Sequence, residues 1–564
     1  MDEAEKDTRV EPAAVEGIEP HRSHACARTR AVLFPMLALC AALAPLGARS
    51  EEPRLRVGVV SDSHIRQEPG SDAFFLKALR WFDARKIDAL AISGDLTDQQ
   101  MILEIEHFMS CYQSVFKDGK RSDGGPVTPV FVTGNHDDEG YVYIAGRCNG
   151  LRGEAISKVA GNTKWSLERM QNDVSNSVAK ATRAIELNVP ADQAAPVLTE
   201  IRALGAQAAA ATNAAALAAL ADAFGTVQSN AVALLTDNAF LCNVNITSVW
   251  KRVLGEEYSQ FFHKRVKGYD FVGANWAGIG WGGAAFDLEG YLASLDLAKD
   301  RPFFYVQHPH PKDTCHGYWV WGHDNGSSTA ALAKYPNAIA LSGHSHTPVA
   351  DERAIWQGAF TSIGCGSLYY LGHISGREND RSDTKEGRDG LLISVYADRV
   401  VVERHDFFNE AEIEPEWIFP APTFAGGEER PYAPAVRIQN EAIPAFAQGA
   451  AVGVAFSNTN APGSGRACDV TATFPFARAA GPGRDAAEYE VQVERVVTDY
   501  VQASATRRVL PTRYYWAAPF RGTNVATRLR SGELPAKTPF RIAVRPMNAF
   551  GGKGEPIYSD SITF

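Results

Sequence analysis

The sequence is poor in cysteine and has no excess of basic residues. Only 8 of its 564 residues are cysteines, and 56 Lys and Arg stand against 66 Asp and Glu, which gives a formal net charge of −10. The absence of any Cys-x-x-Cys pair argues against a structural zinc motif or a thioredoxin-type redox centre. The acidic balance argues against a nucleic-acid-binding surface, because such surfaces need clustered basic side chains to displace counterions.

Long hydrophobic runs are absent after the first fifty residues, so no later segment is expected to span a membrane. Near the N-terminus, a basic segment at 22–30 precedes the apolar run 31–46, and Gly47 and Ala48 offer a small-residue cleavage point. This pattern is typical of a secretory signal peptide. The alternative is an uncleaved membrane anchor, which the short and proline-interrupted run disfavours. We therefore expect a signal peptide at residues 1–50 and a secreted, periplasmic or extracellular mature protein.

Much of the remaining sequence alternates apolar runs with amphipathic segments. The runs 55–60 and 87–92 are rich in β-branched residues, and each is followed by a segment with a helical apolar period. Strand-helix-strand alternation predicts parallel strands joined by right-handed crossovers. The pattern resumes in residues 269–408 and includes a predicted hairpin at 391–404. These features predict an α/β fold over residues 54–410.

A long helical insertion is predicted within this α/β region, at about residues 150–255. Apolar residues keep a period of 3.6 from Leu167 to Ile185, and residues 201–239 are rich in alanine. Both features favour helix. The insertion either only adds stability or forms a cap that limits access to a crevice.

The C-terminal part of the sequence changes composition again. Proline-bearing segments predict a linker at residues 411–435. Alternating segments such as 488–493 and 513–518, separated by Gly, Pro and Asn turns, predict an all-β, immunoglobulin-like sandwich at residues 436–564. Within it, the segment 540–551 resembles the last strands of a fibronectin type III module. That resemblance implies a spacing or adhesion role, with cell-surface or glycan contact.

Five short polar motifs follow the apolar runs in a fixed order. Polar side chains at the carboxyl ends of strands in an α/β fold converge on one crevice. Several Asp, His and Asn side chains there can hold two metal ions, an arrangement suited to hydrolysis. The motifs are Asp62-Ser63-His64, Gly94-Asp95-Leu96-Thr97-Asp98, Gly134-Asn135-His136-Asp137, His308 and Gly343-His344-Ser345-His346.

The order of these motifs, with all five intact, resembles the calcineurin-like metallophosphoesterase superfamily. The resemblance covers about residues 54–408 outside the helical insertion. It implies a four-layer α/β/β/α sandwich that binds two divalent or trivalent metal ions, and the ligand types suit Mn, Fe or Zn. It further implies that Asp62, His64 and His346 hold the first ion, that Asp95 bridges both ions, and that Asn135, His308 and His344 hold the second.

The spacing of the motifs has a simple physical sense. Residues i and i+2 of an extended segment point the same way, so Asp62 and His64 can reach one ion. A carboxylate such as Asp95 can give one oxygen to each of two ions. The resemblance also assigns His136 to stabilise or protonate the departing oxygen, and Asp98 to accept a hydrogen bond from His136.

The resemblance implies an enzyme that hydrolyses a small phosphodiester or phosphomonoester by attack of a metal-bridged hydroxide, and the signal-like N-terminus implies that this enzyme is exported. Asp98 stands where purple acid phosphatases carry a metal-binding tyrosine, and Gln99 stands where protein Ser/Thr phosphatases carry an arginine, which disfavours both groups. The alternative is a non-catalytic binding or adhesion protein that kept the fold, and the retained His136 favours the enzyme.

Two further motif residues have less certain roles in the sequence. Asp137 is expected to shape its loop rather than act on a substrate. His310 either meets a phosphate or is an ordinary loop histidine.

Overall fold

The computed structural model describes most of the chain after the predicted signal peptide. The segment predicted to be a signal peptide, residues 1–50, lies outside the described residues. Among the helices in the described part of the chain, none is both long and apolar enough to cross a membrane. The described residues are 51–66, 70–98, 102–137, 145–242, 250–251, 254–276, 287–318, 320–372, 377, 386–479, 485–497 and 500–564.

Twenty strands form in this part of the chain. In chain order they are β1 Leu55–Val60, β2 Ala89–Ser93, β3 Thr128–Val132, β4 Phe261–Val266, β5 Tyr269–Ala274, β6 Phe303–Val306, β7 Ala338–Ser342, β8 Ile355–Gln357, β9 Thr361–Gly364, β10 Asp389–Val395, β11 Arg399–Asp406, β12 Ala411–Glu412, β13 Trp417–Pro420, β14 Gly453–Phe456, β15 Val470–Pro475, β16 Glu488–Val497, β17 Tyr500–Val509, β18 Asn524–Leu529, β19 Phe540–Met547 and β20 Ile557–Tyr558.

The α-helices lie between the strands or in the insertion. In chain order the described ones are α1 Ala73–Ala84, α2 Ile102–Val115, α3 Gly153–Ala160, α4 Leu167–Asn188, α5 Ala191–Ala209, α6 Ala214–Ala218, α7 Ala221–Cys242, α8 Leu288–Ser294, α9 Ser327–Leu332 and α10 Pro434–Asn440.

The first sheet has the strand order β12-β11-β10-β1-β2-β3, and β13 also pairs with β11. Strands β1, β2 and β3 are parallel to one another, and α1 and α2 lie in the two connections between them. Strands β10 and β11 form an antiparallel hairpin that joins β1 through β10. The strand-helix alternation and the hairpin predicted from the sequence are therefore confirmed.

The second sheet has the strand order β4-β5-β6-β7-β9-β8. Its central strands β5, β6, β7 and β9 are parallel, and antiparallel pairs close both edges. The parallel strands are buried and apolar on both faces, as expected for strands covered on each side.

The inner faces of the two sheets share one hydrophobic core. Val59 of β1 and Ile393 of β10 belong to the same buried cluster as Phe304 of β6 and Ile339 of β7. Helices α1 and α2 pack on the other side of the first sheet, and α8 and α9 pack on the other side of the second. Because helices and sheets are combined in these packed layers, the expected mixed α/β fold is confirmed.

The insertion after β3 is helical in its described part and has a core of its own. Helices α3 to α7 bury large residues such as Met170, Ile185 and Phe224 in one cluster that contains no strand residue. Two glycines allow one close helix contact, since a Cβ at Gly225 would lie 3.4 Å from the backbone nitrogen of Gly153. The alanine-rich composition therefore permits tight packing between these helices.

The C-terminal part of the chain is rich in strands, as the sequence predicted. Strands β14, β15 and β18 form one antiparallel sheet, and β17, β16, β19 and β20 form another. Residues from both sheets, among them Phe474, Tyr489 and Ile542, share a single buried cluster. The resemblance of this region to a fibronectin type III module stays a prediction.

The segment predicted as a linker is not a free spacer. Strands β12 and β13 both pair with β11 and extend the first sheet. The side chain of Trp417 is buried, and the guanidinium of Arg404 lies 4.3 Å from the centre of its ring. The prolines misled the prediction because β13 is an edge strand, where a missing backbone N–H is tolerated.

The prediction of a strand at residues 513–518 is wrong. The segment forms turns, and the aromatic side chains of Tyr514 and Trp516 pack in a cluster with Leu371 and against Phe408. Consecutive aromatic residues satisfy a strand pattern, but here burial against the α/β part of the chain decides the local structure.

Two buried aspartates face each other across the β10–β11 hairpin. Asp389 lies opposite Asp406 in the pairing register. Asp406 accepts hydrogen bonds from the backbone of Phe408, Asn409 and Ala517, whereas Asp389 accepts one, from the backbone of Val349. Burial and the charge of Asp406 raise the pKa of Asp389 well above its usual range. Asp389 is therefore the partner that stays protonated.

We expect the substitution Asp389→Asn to stabilise the protein increasingly as the pH rises. Above pH of about 4 the unfolded chain carries a charged Asp389, which must take up a proton on folding. The contribution of Asp389 to stability is thus complete at low pH and is lost as the pH rises through the raised pKa. Asparagine removes this dependence. Urea unfolding at pH 5 and pH 8 measures the change.

The matched control is Asp406→Asn. It places an amide among backbone donors and should destabilise the protein at both pH values, by about 1–3 kcal/mol. A gain from Asp389→Asn that is the same at pH 5 and pH 8 would contradict the assignment of the proton to Asp389.

Candidate metal centre

Each polar motif follows the carboxyl end of a strand in one of the two α/β sheets. Strands β1, β2 and β3 of the first sheet lead into the motifs of Asp62, Asp95 and Asn135. Strands β6 and β7 of the second sheet lead into His308 and the His344 motif. The structure brings these strand ends together, as expected for a crevice at the carboxyl ends of parallel strands.

Glycines permit the close approach of these motifs. A Cβ on Gly134 would lie 2.1 Å from Oδ1 of Asp95, and a Cβ on Gly343 would lie 1.7 Å from Oγ of Ser61 and 2.5 Å from Oδ2 of Asp62. No side chain fits at either position, so these glycines allow the backbone to lie directly against the carboxylates.

Several of the candidate ligands have an unusual backbone conformation. Non-glycine residues seldom adopt positive φ, and when they cluster the strain marks a functional site. Five of the seven sequence-predicted ligands share this conformation, which the motif pattern did not reveal. They are Asp62 (φ 51°), His64 (φ 42°), Asp95 (φ 50°), His344 (φ 68°) and His346 (φ 53°).

The first group of candidate ligands contains Asp62, His64, Asp95 and His346. All four are buried, and one ligand atom from each lies within 4.8 Å of the others. Nε2 of His346 is 3.0 Å from Oδ1 of Asp62, and Nε2 of His64 is 3.5 Å from Oδ2 of Asp95. These short separations between donor atoms are those of groups that can surround one cation.

The second group contains Asp95, His308 and His344, and Asp95 therefore belongs to both groups. Nε2 of His308 is 3.2 Å from Oδ2 of Asp95 and 3.1 Å from Oδ1 of Asn135. Nδ1 of His344 lies 3.1 Å from the same nitrogen of His308. All seven residues predicted as metal ligands thus meet in one place.

The other ring nitrogen of three of these histidines is held by an acceptor. Nδ1 of His308 lies 2.7 Å from the carbonyl oxygen of Ser93, and Nδ1 of His346 lies 2.9 Å from that of Tyr370. Nδ1 of His64 lies 3.0 Å from Oδ1 of Asp98. Because these oxygens accept, each Nδ1 carries a hydrogen and each Nε2 faces the cluster, which is the usual orientation of metal-binding histidines.

Two buried atoms in the cluster support cation binding directly. Oδ1 of Asp62 and Nε2 of His64 are buried and make no hydrogen bond among the described residues. Buried polar atoms normally have such partners, and a bound cation satisfies atoms of this kind. The donor set of imidazole, carboxylate and amide groups therefore fits a metal site.

The electrostatics of the cluster keep its carboxylates charged. Burial alone would raise the pKa of Asp62, but His346 and His308 lower it to about 2. Burial alone would lower the pKa of His308, but Asp95 and Asp62 raise it to about 9. Burial and the neighbouring His308 lower the pKa of His344 to about 3. The carboxylates of Asp62 and Asp95, whose pKa values are both lowered, therefore stay charged beside these histidines and attract cations.

The predicted pair of His136 and Asp98 is adjacent, but its contacts differ from the expectation. The carboxylate of Asp98 binds His64, while Nδ1 of His136 donates to the backbone oxygen of Asp98 at 2.9 Å. The expected contact between the Asp98 carboxylate and His136 is thus replaced by one through the main chain. His136 is half-buried, and its backbone N–H donates to Oδ1 of Asp95 at 3.0 Å.

The structure also decides the roles of Asp137 and His310. Asp137 is buried and accepts hydrogen bonds from the backbone of Gly134, Leu96 and Thr97, so it shapes the loop as expected. His310 is buried, and each of its ring nitrogens lies 2.7 Å from a serine hydroxyl. The alternative in which His310 meets a phosphate is therefore wrong.

Sequence reasoning missed several residues beside the cluster. The guanidinium of Arg66 lies 4.7 Å from the ring centre of Tyr369, which in turn lies 4.8 Å from the ring of His64. Nη2 of Arg147 lies 3.8 Å from Oδ2 of Asp98. Trp321 stacks on His344 at 4.7 Å and is 49% exposed. Arg147 and Trp321 belong to no motif, so no local signal in the sequence marks them.

Comparison with known proteins gives only weak likenesses. No family model matches the chain, and no curated protein matches it. A dimetal phosphatase from Danio rerio is 8% identical with a TM-score of 0.30, covering 65% of this chain and 99% of its own. A conserved protein from Streptococcus pneumoniae, described as a predicted phosphoesterase, is 10% identical with a TM-score of 0.23, covering 65% and 97%. Scores this low assign neither fold nor function.

Proposed function

We propose that this protein is a dinuclear-metal phosphoesterase that hydrolyses a small phosphodiester or phosphomonoester. The observation that carries the proposal is the sharing of Asp95 between two groups of buried ligands. Two-metal hydrolases hold adjacent cations with a shared carboxylate that has further metal ligands on each side of it.

On this proposal the candidate ligands divide between two cations. Asp62, His64 and His346 would hold one ion, Asn135, His308 and His344 the other, and Asp95 would hold both. When bound, two such cations supply Lewis-acid chemistry, activating water as a nucleophile and neutralising phosphoryl oxygens. Mixed nitrogen and oxygen donors suit Mn, Fe or Zn.

We assign His136 to the departing oxygen of the substrate. Its Nδ1 donates to the backbone oxygen of Asp98, so Nε2 is the nitrogen that can carry or release the exchangeable proton. Its ring lies 4.6 Å from that of His64, at the half-buried edge of the cluster. Protonation of the leaving oxygen by such a group is general acid catalysis.

Cationic and aromatic side chains lie beside this site. Arg66 and Arg147 place guanidinium groups near Asp98 and Tyr369, where an anionic phosphoester gains from positive charge. Trp321 offers an exposed aromatic face beside His344. These groups suit a small substrate that carries both a phosphoryl group and an apolar or planar substituent.

The finer structural and cellular features form part of the same proposal. We assign the α/β part, residues 54–410, to the metallophosphoesterase α/β/β/α sandwich, because two sheets share a core and helices cover both outer sides. We also propose an exported protein, on the basis of the signal-like residues 1–50.

The proposal is tested by removing and restoring metal in the purified full-length chain. The protein is stripped with a chelator, reloaded separately with Mn, Fe or Zn, and assayed on p-nitrophenyl phosphate and its bis-ester. We expect hydrolysis of at least one ester with at least one metal, and none in the stripped protein. If the ligand cluster binds metal but no reloaded form hydrolyses either ester, the non-catalytic binding alternative is favoured instead.

We expect Asp98→Asn to weaken metal binding without unfolding the chain. The Asp98 carboxylate orients His64 through Nδ1, and loss of such an outer contact typically lowers metal affinity or activity by about 10–100-fold. Competition with a chelating dye measures the affinity. The control is Asp118→Asn, which changes an exposed aspartate and should leave the affinity unchanged. Equal affinities in the two variants would contradict the role of Asp98.

A further inference from the structure

A second cluster of metal-binding side chains lies where helix α1 begins against helix α2. It consists of Asp72, His107 and Cys111, and one ligand atom from each lies within 4.8 Å of the other two. None of the three belongs to the motifs or to the candidate metal centre. The cluster combines a carboxylate, an imidazole and a thiol, which is a donor set used by zinc sites.

The separations between the donor atoms fit a tetrahedral ion. Nε2 of His107 lies 3.3 Å from Oδ2 of Asp72, and Sγ of Cys111 lies 3.8 Å from the same oxygen. A tetrahedral zinc ion with bonds of about 2.0–2.3 Å separates neighbouring ligand atoms by about 3.3–3.7 Å. Two of the three separations are thus close to those around one ion, and the third, between the ligand atoms of His107 and Cys111, is below 4.8 Å.

The local structure presents these side chains toward one another. His107 and Cys111 are four residues apart on α2 and so lie on the same face of the helix. Asp72 is the N-cap residue of α1, but its side chain makes no capping hydrogen bond. Its carboxylate is turned to α2 instead, which gives up a contact that helix N-termini usually gain.

An outer contact fixes the orientation of the histidine. Nδ1 of His107 donates to the carbonyl oxygen of Arg66 at 3.0 Å. With Nδ1 donating to this carbonyl, Nε2 is the ring nitrogen that faces Asp72 and Cys111. A backbone carbonyl in this position is the common outer partner of a metal-bound histidine.

We propose that Asp72, His107 and Cys111 form an additional metal site for a single zinc-like cation, with solvent completing the coordination. The thiol favours a borderline-soft ion over Mg or Ca. The site would tie Asp72 and Arg66 to α2, close to the chain segment that begins with Asp62 and His64. The inference does not depend on the proposed phosphoesterase activity.

Binding at this site requires the loss of a proton. Burial and the nearby Asp72 raise the pKa of the Cys111 thiol to about 12, so the thiol is protonated at neutral pH before an ion binds. Since only the thiolate binds metal strongly, uptake of the ion releases a proton and strengthens as the pH rises. The competing explanation is a hydrogen-bonded trio in which Cys111 and His107 donate to Asp72.

Cobalt distinguishes the two explanations, because Co²⁺ bound to a thiolate absorbs strongly in the near ultraviolet and Co²⁺ bound only to nitrogen and oxygen does not. The metal-stripped full-length protein is titrated with Co²⁺ and its absorption is recorded. We expect the wild type to develop a thiolate-to-cobalt band. The final intensity of this band should correspond to one cobalt–thiolate bond per chain. The band should be absent in Cys111→Ser and retained in the control Cys148→Ser, which changes a buried cysteine of the insertion.

A second variant keeps the test decisive if Cys111→Ser does not fold. Asp72→Asn retains the thiol. It should lower the affinity for Co²⁺, measured from the titration of the cobalt band, by about 10-fold or more. Three results would overturn the proposed site. The wild type could lack the band at saturating Co²⁺, or the band could persist in Cys111→Ser. The third such result is a cobalt affinity in Asp72→Asn equal to that of the wild type. Failure of phosphoester hydrolysis would not affect these readouts, since the ligands of the main centre include no thiolate.

Discussion

Asp95→Asn should abolish phosphoester hydrolysis and remove metal from both halves of the main centre. Oδ2 of Asp95 lies 3.5 Å from Nε2 of His64 and 3.2 Å from Nε2 of His308, so this one carboxylate serves both ligand groups. Loss of several kcal/mol of charge stabilisation corresponds to a fall in kcat/KM on the order of 10³-fold or more. Steady-state assays together with metal analysis of the purified variant measure both effects.

The matched control for this substitution is Asp389→Asn. It makes the same chemical change at another buried aspartate that is no metal ligand, and it should leave both metal content and turnover near wild type. If Asp95→Asn lost only one ion, or kept turnover within about tenfold of the wild type, Asp95 would not be the shared ligand.

His136→Ala should lower kcat by about 10²–10⁴-fold while the metal content stays unchanged. The contact between this residue and Asp95 runs through the backbone N–H of residue 136, which alanine retains. The imidazole is therefore removed without disturbing the ligand set. The measurement is kcat on a series of phosphoesters with leaving groups of increasing basicity.

The leaving-group series separates proton donation from a structural role. A general acid matters most when the leaving oxygen is basic, so the defect should be largest for alkyl esters and smallest for p-nitrophenyl esters. A loss of the same size for every leaving group, or a loss of bound metal, would exclude His136 as the proton donor.

The C-terminal region packs against the chain segment that orients a candidate metal ligand. The carbonyl oxygen of Tyr370 holds Nδ1 of His346, and the next residue, Leu371, is buried with Leu510 and Tyr514 of the C-terminal region. Residues 52–564 accordingly form one compact unit. The predicted role of this region in spacing or adhesion stays a prediction.

The sequence predicted that the ligands cluster because polar residues at the carboxyl ends of parallel strands meet in one crevice. Asp62, Asp95 and His308 each follow an apolar run, and parallel strands bring their carboxyl ends to one edge of each sheet. The apolar runs also predicted the strands themselves, since buried parallel strands are apolar on both faces. At these positions the local sequence pattern and the position of each strand in its sheet lead to the same prediction.

Other features depend on contacts between residues far apart in the chain. The sequence could not predict that the carboxylate of Asp98 binds His64 and not His136. Both rings lie beside this carboxylate, and only the folded structure shows which of them it contacts. Arg147 reaches the site from the start of the insertion, outside every motif. Strand β13 and the turn around Trp516 show the same limit, since tertiary packing overrode the local signals of proline and of alternation.

The most direct test of the central claim is anomalous X-ray diffraction from crystals of the metal-loaded protein. The account predicts two cation peaks about 3.5–4 Å apart, with Asp95 between them and the six other predicted ligands divided three to each ion. A single peak at this centre, or two peaks that do not share Asp95, would contradict it.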